Sequence, residues 1–96
     1  MRIGINESIL SAEHAPFYTS QLTKEGHEVV TTLDKFDDGV VFEMCVCDNL
    51  EKLVFLIGKV RHLLFFSSSM GTKITSRQII SVGSWGEIYD YIRYEI

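Results

Sequence analysis

"DKFDDG", residues 34–39, joins two β-type runs, "HEVVTTL" (27–33) before it and "VVFEMCVC" (40–47) after it, and the direction in which it turns the chain decides the fold. Read as a polar turn, rich in Asp and closed by Gly39, it sends the second run back antiparallel to the first, because parallel neighbours need a crossover of about a dozen residues or more. Read instead as a segment that crosses the sheet, it leaves the two runs parallel.

Upstream, "RIGIN" (2–6) alternates Ile3 and Ile5 with Arg2, Gly4 and Asn6, the pattern of a short strand. "AEHAPFYTSQLTKEG" (12–26) then reads as a helix beginning near Ser11 and closing at Gly26, with Pro16 limiting its regularity upstream. Strand, helix, glycine, strand is the order of a right-handed βαβ unit.

Downstream, Asp48 and Glu51 stand at capping-box spacing, so a helix is expected to start there and run to about Arg61. Leu50, Leu53, Val54, Ile57 and Val60 recur on one side of it, and Phe55 and Leu56 widen the apolar stripe enough to predict burial on more than one side. "HLLFFSS" (62–68) is a continuous apolar run, as expected of a central strand covered on both faces. "SMGTK" offers a turn, "QIISVG" (78–83) a fifth strand, and "ITSR" between them has no assignment. Ser84 and Glu87 repeat the capping-box spacing before a last helix, which Trp85, Ile88, Tyr89 and Ile92 would dock while Tyr94 stays wet.

With the short link, this order predicts a ferredoxin-like βαββαβ sandwich carrying an added C-terminal strand and helix. The alternative is a small Rossmann-like or flavodoxin-like mixed sheet, favoured by the doubly apolar "LLFF". The alternatives place chemistry differently. Parallel strands gather Asn6, Glu7, Asp48 and the serines from Ser67 onward at one carboxyl edge, whereas the sandwich puts Asn6 and Glu7 at the end opposite Asp48.

Composition narrows the field. A chain of 96 residues, 46% apolar and with a single proline, fits one folded domain over 1–96. Thirteen acidic against nine basic residues give a net charge of −4 with no run of like charge, which argues against nucleic acid as the main partner. The first ten residues lack a secretory pattern and charges interrupt every long apolar stretch, so a cytoplasmic protein without a membrane span is expected. Two cysteines in a reducing compartment are expected to remain thiols.

The candidate chemistry is sparse. Cys45 and Cys47 share a strand face with Val41 and Glu43, but a structural zinc needs four ligands and no Cys-x-x-Cys occurs, so no metal and no cofactor is assigned. That half-apolar face, with Phe65 and with Trp85 and Tyr89 of the last helix, is read as a contact surface. Ser68, Ser69, Gly71, Thr72 and Lys73 resemble a phosphate-binding loop in content, though not in Walker spacing, and join Asn6, Glu7 and Asp48 as candidate ligand residues. Glu13 and His14 form a weak candidate acid–base pair at a sheet edge, and no complete catalytic set is present.

The expectation is therefore a small regulatory protein acting by protein–protein contact and associating with itself, of the kind that viruses or mobile elements use as inhibitors or adaptors. The alternative is a protein binding a nucleotide or other anion, or an enzyme, at the sheet edge. A third reading is nucleic-acid binding through Lys52, Lys59, Arg61, Lys73 and Arg77.

Overall fold

The structure is a computed structural model describing residues 1–31, 42–67 and 79–96. In chain order the described elements are β1 (Arg2–Ile5), a 3₁₀ turn (Glu7–Ser11), α1 (Ala15–Lys24), β2 (Glu28–Val30), β3 (Met44–Cys47), α2 (Leu50–Leu56), β4 (His62–Phe66), β5 (Ile79–Val82) and α3 (Trp85–Tyr94). The strands form one sheet in the order β2-β1-β3-β4-β5, and every neighbouring pair is parallel.

This overturns the ferredoxin-like expectation, whose sheet is antiparallel. The reason lies in the link around "DKFDDG". Thirteen residues separate Val30, the last of β2, from Met44, the first of β3, and not the six of "DKFDDG" alone. Apolar content ran past the strands on both sides. A connection of that length meets the crossover requirement of parallel strands, and β2 and β3 stand on opposite sides of β1. The strand order is one used by doubly wound sheets, as the alternative expectation had it, but with no antiparallel strand among the described ones.

Side chains alternate through the sheet and build two cores. One holds Ile3 and Ile5 of β1, Met44 and Val46 of β3, and Leu64 and Phe66 of β4, under Leu22 of α1 and Trp85, Ile88 and Ile92 of α3. The other holds Cys45, Cys47, Leu63, Phe65 and Ile79 beneath Leu53 and Leu56 of α2. Strand β4 is thus covered on both faces, as its unbroken apolar run implies. Phe42 also joins the second core, on the same side as the cysteines. Alternation carried back from Met44 would put it on the other side, but β3 starts only at Met44, so the alternation does not extend to it.

The helix ends follow local chemistry. Gly26, at φ +90°, and Gly58, at φ +80°, take the left-handed conformation that a glycine adopts without steric cost, and each lies just beyond a helix. Ser84 caps α3 by accepting the Glu87 N–H at 3.3 Å. At α2 the cap is Asn49, accepting from the Glu51 N–H at 2.8 Å, and not Asp48, whose carboxylate is engaged elsewhere. The helix ends at Leu56, well short of Arg61, and only one side of it is covered. Leu50, Val54, Phe55 and Ile57 stay exposed, Val54 at 67%, so its broad stripe is not buried on two sides. No helix among the described residues is long and apolar enough to cross a membrane.

Candidate functional site

All-parallel strands point their carboxyl ends at one edge, and the order reverses between β1 and β3, which is where open α/β sheets hold ligands. Asn6 follows β1 and Asp48 follows β3, so the register of the two strands brings them together. The Asn6 N–H donates to Val46 O at 3.0 Å, which fixes its backbone as an extension of the sheet. Its side-chain amide N–H donates to the Asp48 carboxylate, and its amide oxygen accepts from Lys52 Nζ at 3.2 Å. Ser8 Oγ donates to the other Asp48 oxygen. Asn6 is 7% exposed, the one polar residue buried among those described, whereas Asp48 lies open at the edge. The amide thus acts as a spacer, holding a carboxylate on one side and an ammonium on the other.

This cluster stands between two depressions. A shallow groove of about 570 Å³ is lined by Asn6, Glu7, Ser8, Ser11, Asp48, Asn49 and Lys52. A larger cleft of about 950 Å³ reaches from Ser8 and Asp48 across the ends of β4 and β5 to Ser84 and Trp85, with Glu13, His14 and Tyr18 on the α1 side. Its floor is apolar, made by Phe65, Phe66, Ile9 and Trp85. The indole N–H of Trp85 donates to Ile9 O at 3.1 Å, so the 3₁₀ turn after β1 is pinned to the start of α3. A depression of this size with an apolar floor and a few convergent polar groups has the form of a small-molecule site.

The sequence candidates distribute unevenly over this geometry. Asn6, Glu7 and Asp48 come together, as the parallel alternative requires. Glu13 and His14 also meet, with Oε1 and Nε2 3.4 Å apart, both widely exposed on the rim. His14 sits at φ 67°, a left-handed position that few non-glycine residues adopt, and makes no side-chain cap for α1. Ser68, Ser69, Gly71, Thr72, Lys73 and Val41 lie outside the described residues, as do Arg77 and all of "DKFDDG". Sequence reading passed over Ser8, Ser11, Tyr18 and Gly83 as cleft residues. A serine three residues beyond a strand end carries no signal until the strand's neighbours are known.

The proposed contact residues lie mostly inside the chain. Cys45 and Cys47 are fully buried beneath α2, Phe65 is 5% exposed and Trp85 1%, while Glu43 is exposed and Tyr89 half-buried. The third helix covers the opposite face of the sheet from the cysteines. Burial pushes both thiols up to about 12, with the neighbouring Cys47 adding to the shift at Cys45, and at Cys47 Lys52 opposing and Asp48 reinforcing it. Such thiols are poor nucleophiles and poor metal ligands. Tyr89 donates to Glu25 at 2.6 Å, bridging α3 and α1, and that carboxylate holds its hydroxyl above the usual phenol range.

Among the described residues no three His, Cys, Asp or Glu side chains converge to hold a metal ion. The described basic candidates stand at different places. Lys52 stands at the carboxyl edge, Lys59 lies over the Phe55 ring at 3.4 Å from its centroid, and Arg61 lines a small hollow of about 250 Å³ with His62, just before β4 at the amino edge. Models of known families, curated proteins and solved structures give no match to this chain, so the carboxyl-edge geometry is the ground on which its function is argued.

Proposed function

We propose that the protein is a binding domain for a small molecule seated in the carboxyl-edge cleft. The observation that carries the reading is the meeting of Asn6, Ser8, Asp48 and Lys52 at the reversal of strand order, beside a cleft of about 950 Å³ with an aromatic floor. The polar groups would orient the ligand, and Phe65, Phe66 and Tyr18 would exclude water from its apolar part. The rim pair Glu13 and His14 leaves room for acid–base chemistry, but binding needs no such step. The test is a screen of small fragments against ¹⁵N-labelled protein. Binding is expected to move the amide signals of Ser8, Asp48, Ser67 and Gly83 together with the Trp85 indole signal. Hits whose shifts fall on α2 or scatter over the surface would end this reading.

A second reading is carried by α2. Leu50, Val54 and Phe55 of the seven-residue α2, with Ile57 just beyond it, are exposed large apolar side chains, which suits contact with a second copy of the chain. This keeps the idea of self-association but moves its surface from the cysteine face to the outside of α2. Light scattering on the eluting protein is expected to give a dimer mass that Val54→Glu shifts to the monomer. A monomer at about 100 μM in the unaltered protein would discard it.

A further inference from the structure

Resting on the reading of the cleft as a ligand site, we infer that its ligand is an organic cation, an amine or guanidinium compound, and not a phosphate. Doubly wound sheets hold anions on backbone N–H groups at helix N-termini that open on the carboxyl edge. Here those positions are taken by the chain's own side chains. Ser84 Oγ accepts the Glu87 N–H, and Glu87 Oε2 accepts the Gly83 N–H at 2.6 Å. A carboxylate therefore already lies at the turn from β5 into α3, where a bound phosphate would have to sit.

The other two described helices offer no better anion site. The start of α2 is capped by Asn49 on the Glu51 N–H and is preceded by the Asp48 carboxylate. At α1 the Ala15 N–H donates to Ala12 O at 3.2 Å, and Pro16 has no N–H to give.

The described walls carry the same sign. Glu13 and Asp48 line the cleft, and His14, the one basic side chain among the described lining residues, lies beside Glu13. Lys52 lines the adjoining groove instead, where its ammonium meets the Asn6 amide oxygen. Carboxylates and serine hydroxyls accept from the several N–H donors of an ammonium or guanidinium group, and charge-assisted bonds of this kind are the stronger ones. Tyr18, half-exposed on the α1 wall, adds an aromatic surface over which a cation is attracted. The aromatic floor accommodates the apolar carbon chain that separates the charges of such a ligand.

The probe is spermidine, titrated into the ¹⁵N-labelled protein at physiological salt, with inorganic phosphate and ribose as anionic and neutral counterparts. Spermidine is expected to move the amides of Ser8, Glu13, Asp48 and Gly83 saturably while phosphate leaves them in place. Asp48→Asn and Glu13→Gln are each expected to weaken it about tenfold, the order of loss for one charge-assisted hydrogen bond. Shifts spread evenly over the remote carboxylates Glu25, Glu28 and Asp90 would show general attraction to an acidic protein and overturn the inference. Phosphate or ribose moving the cleft amides without spermidine would overturn it too, and would leave the cleft a ligand site. Silence of these amides to spermidine ends the inference alone, since the fragment screen decides the cleft separately.

Discussion

Replacement of Trp85 by alanine is expected to lower stability by about 3–5 kcal/mol, which for a domain of this size is a large part of the whole. The indole is 1% exposed and belongs to the core that also holds Ile9, Ile88 and the inward side chains of β1, β3 and β4. Its removal opens a cavity and also takes from Ile9 O one of its two donors, the Ala12 N–H remaining at 3.1 Å, a loss of about 1 kcal/mol. The cavity and the lost bond lie at one place, so the costs overlap and do not add in full. Urea unfolding followed by circular dichroism measures the change. Trp85→Phe keeps most of the apolar volume and separates the two parts: it is expected to lose mainly the hydrogen bond, about 1–2 kcal/mol. A Trp85→Ala midpoint within about 0.5 kcal/mol of the unaltered protein would mean that α3 is not seated as described.

The second large effect is alkaline. Cys45 and Cys47 stay protonated in the folded chain to about pH 12, whereas an unfolded chain releases these protons near the ordinary thiol value of 9.0. Above pH 9 the unfolded state therefore binds fewer protons than the folded one, and stability falls as pH rises; below pH 9 the thiol contribution is fully present. Each thiol loses at most ~1.4 kcal/mol per pH unit, so by pH 11 the pair is expected to cost about 2–5 kcal/mol, less than twice one thiol because the two interact. Chemical denaturation at successive pH values should show the decline beginning near pH 9. In the Cys45→Ala, Cys47→Ala double variant the decline should start later, above pH 10, where the Tyr91 phenol, raised chiefly by its burial, comes into play. An identical slope in both proteins would locate the effect elsewhere.

How much of this was readable beforehand varies from element to element. The run "LLFF" announced a strand covered twice, because no polar side chain interrupts it, and β4 is such a strand. Ser84 and Glu87 announced the start of α3 because both halves of a capping signal lie within four residues. The same signal misled at Asp48, where a long-range partner outcompeted the local one: Asn6 is 42 residues away in sequence and takes the carboxylate, leaving the cap to Asn49. The parallel sheet was hidden by "HEVVTTL" and "VVFEMCVC", whose apolar residues continue past the ends of β2 and β3 and make the link look too short to cross. The exposed side of α2 was hidden for a different reason. Helical spacing tells which residues share a side, but not whether anything lies against it.

The candidate site shows the same division. Asn6, Glu7 and Asp48 were identifiable as polar residues just beyond strand ends, and they meet once the strands are parallel. Ser8 and Tyr18 were not, since their role depends on which helix packs on which face. The phosphate-like content of residues 68–73 falls outside the described residues.

The bond between Trp85 and Ile9 joins positions 76 residues apart, and it sets the order in which the fold can be completed. Strand β1 leaves the ribosome well before α3, yet its Ile3 and Ile5 share one core with that helix. The early half thus has no finished core of its own to fall into. The nascent chain must hold an unroofed sheet face until α3 has followed, so α3 acts as the clasp that turns an open assembly into a cooperative one.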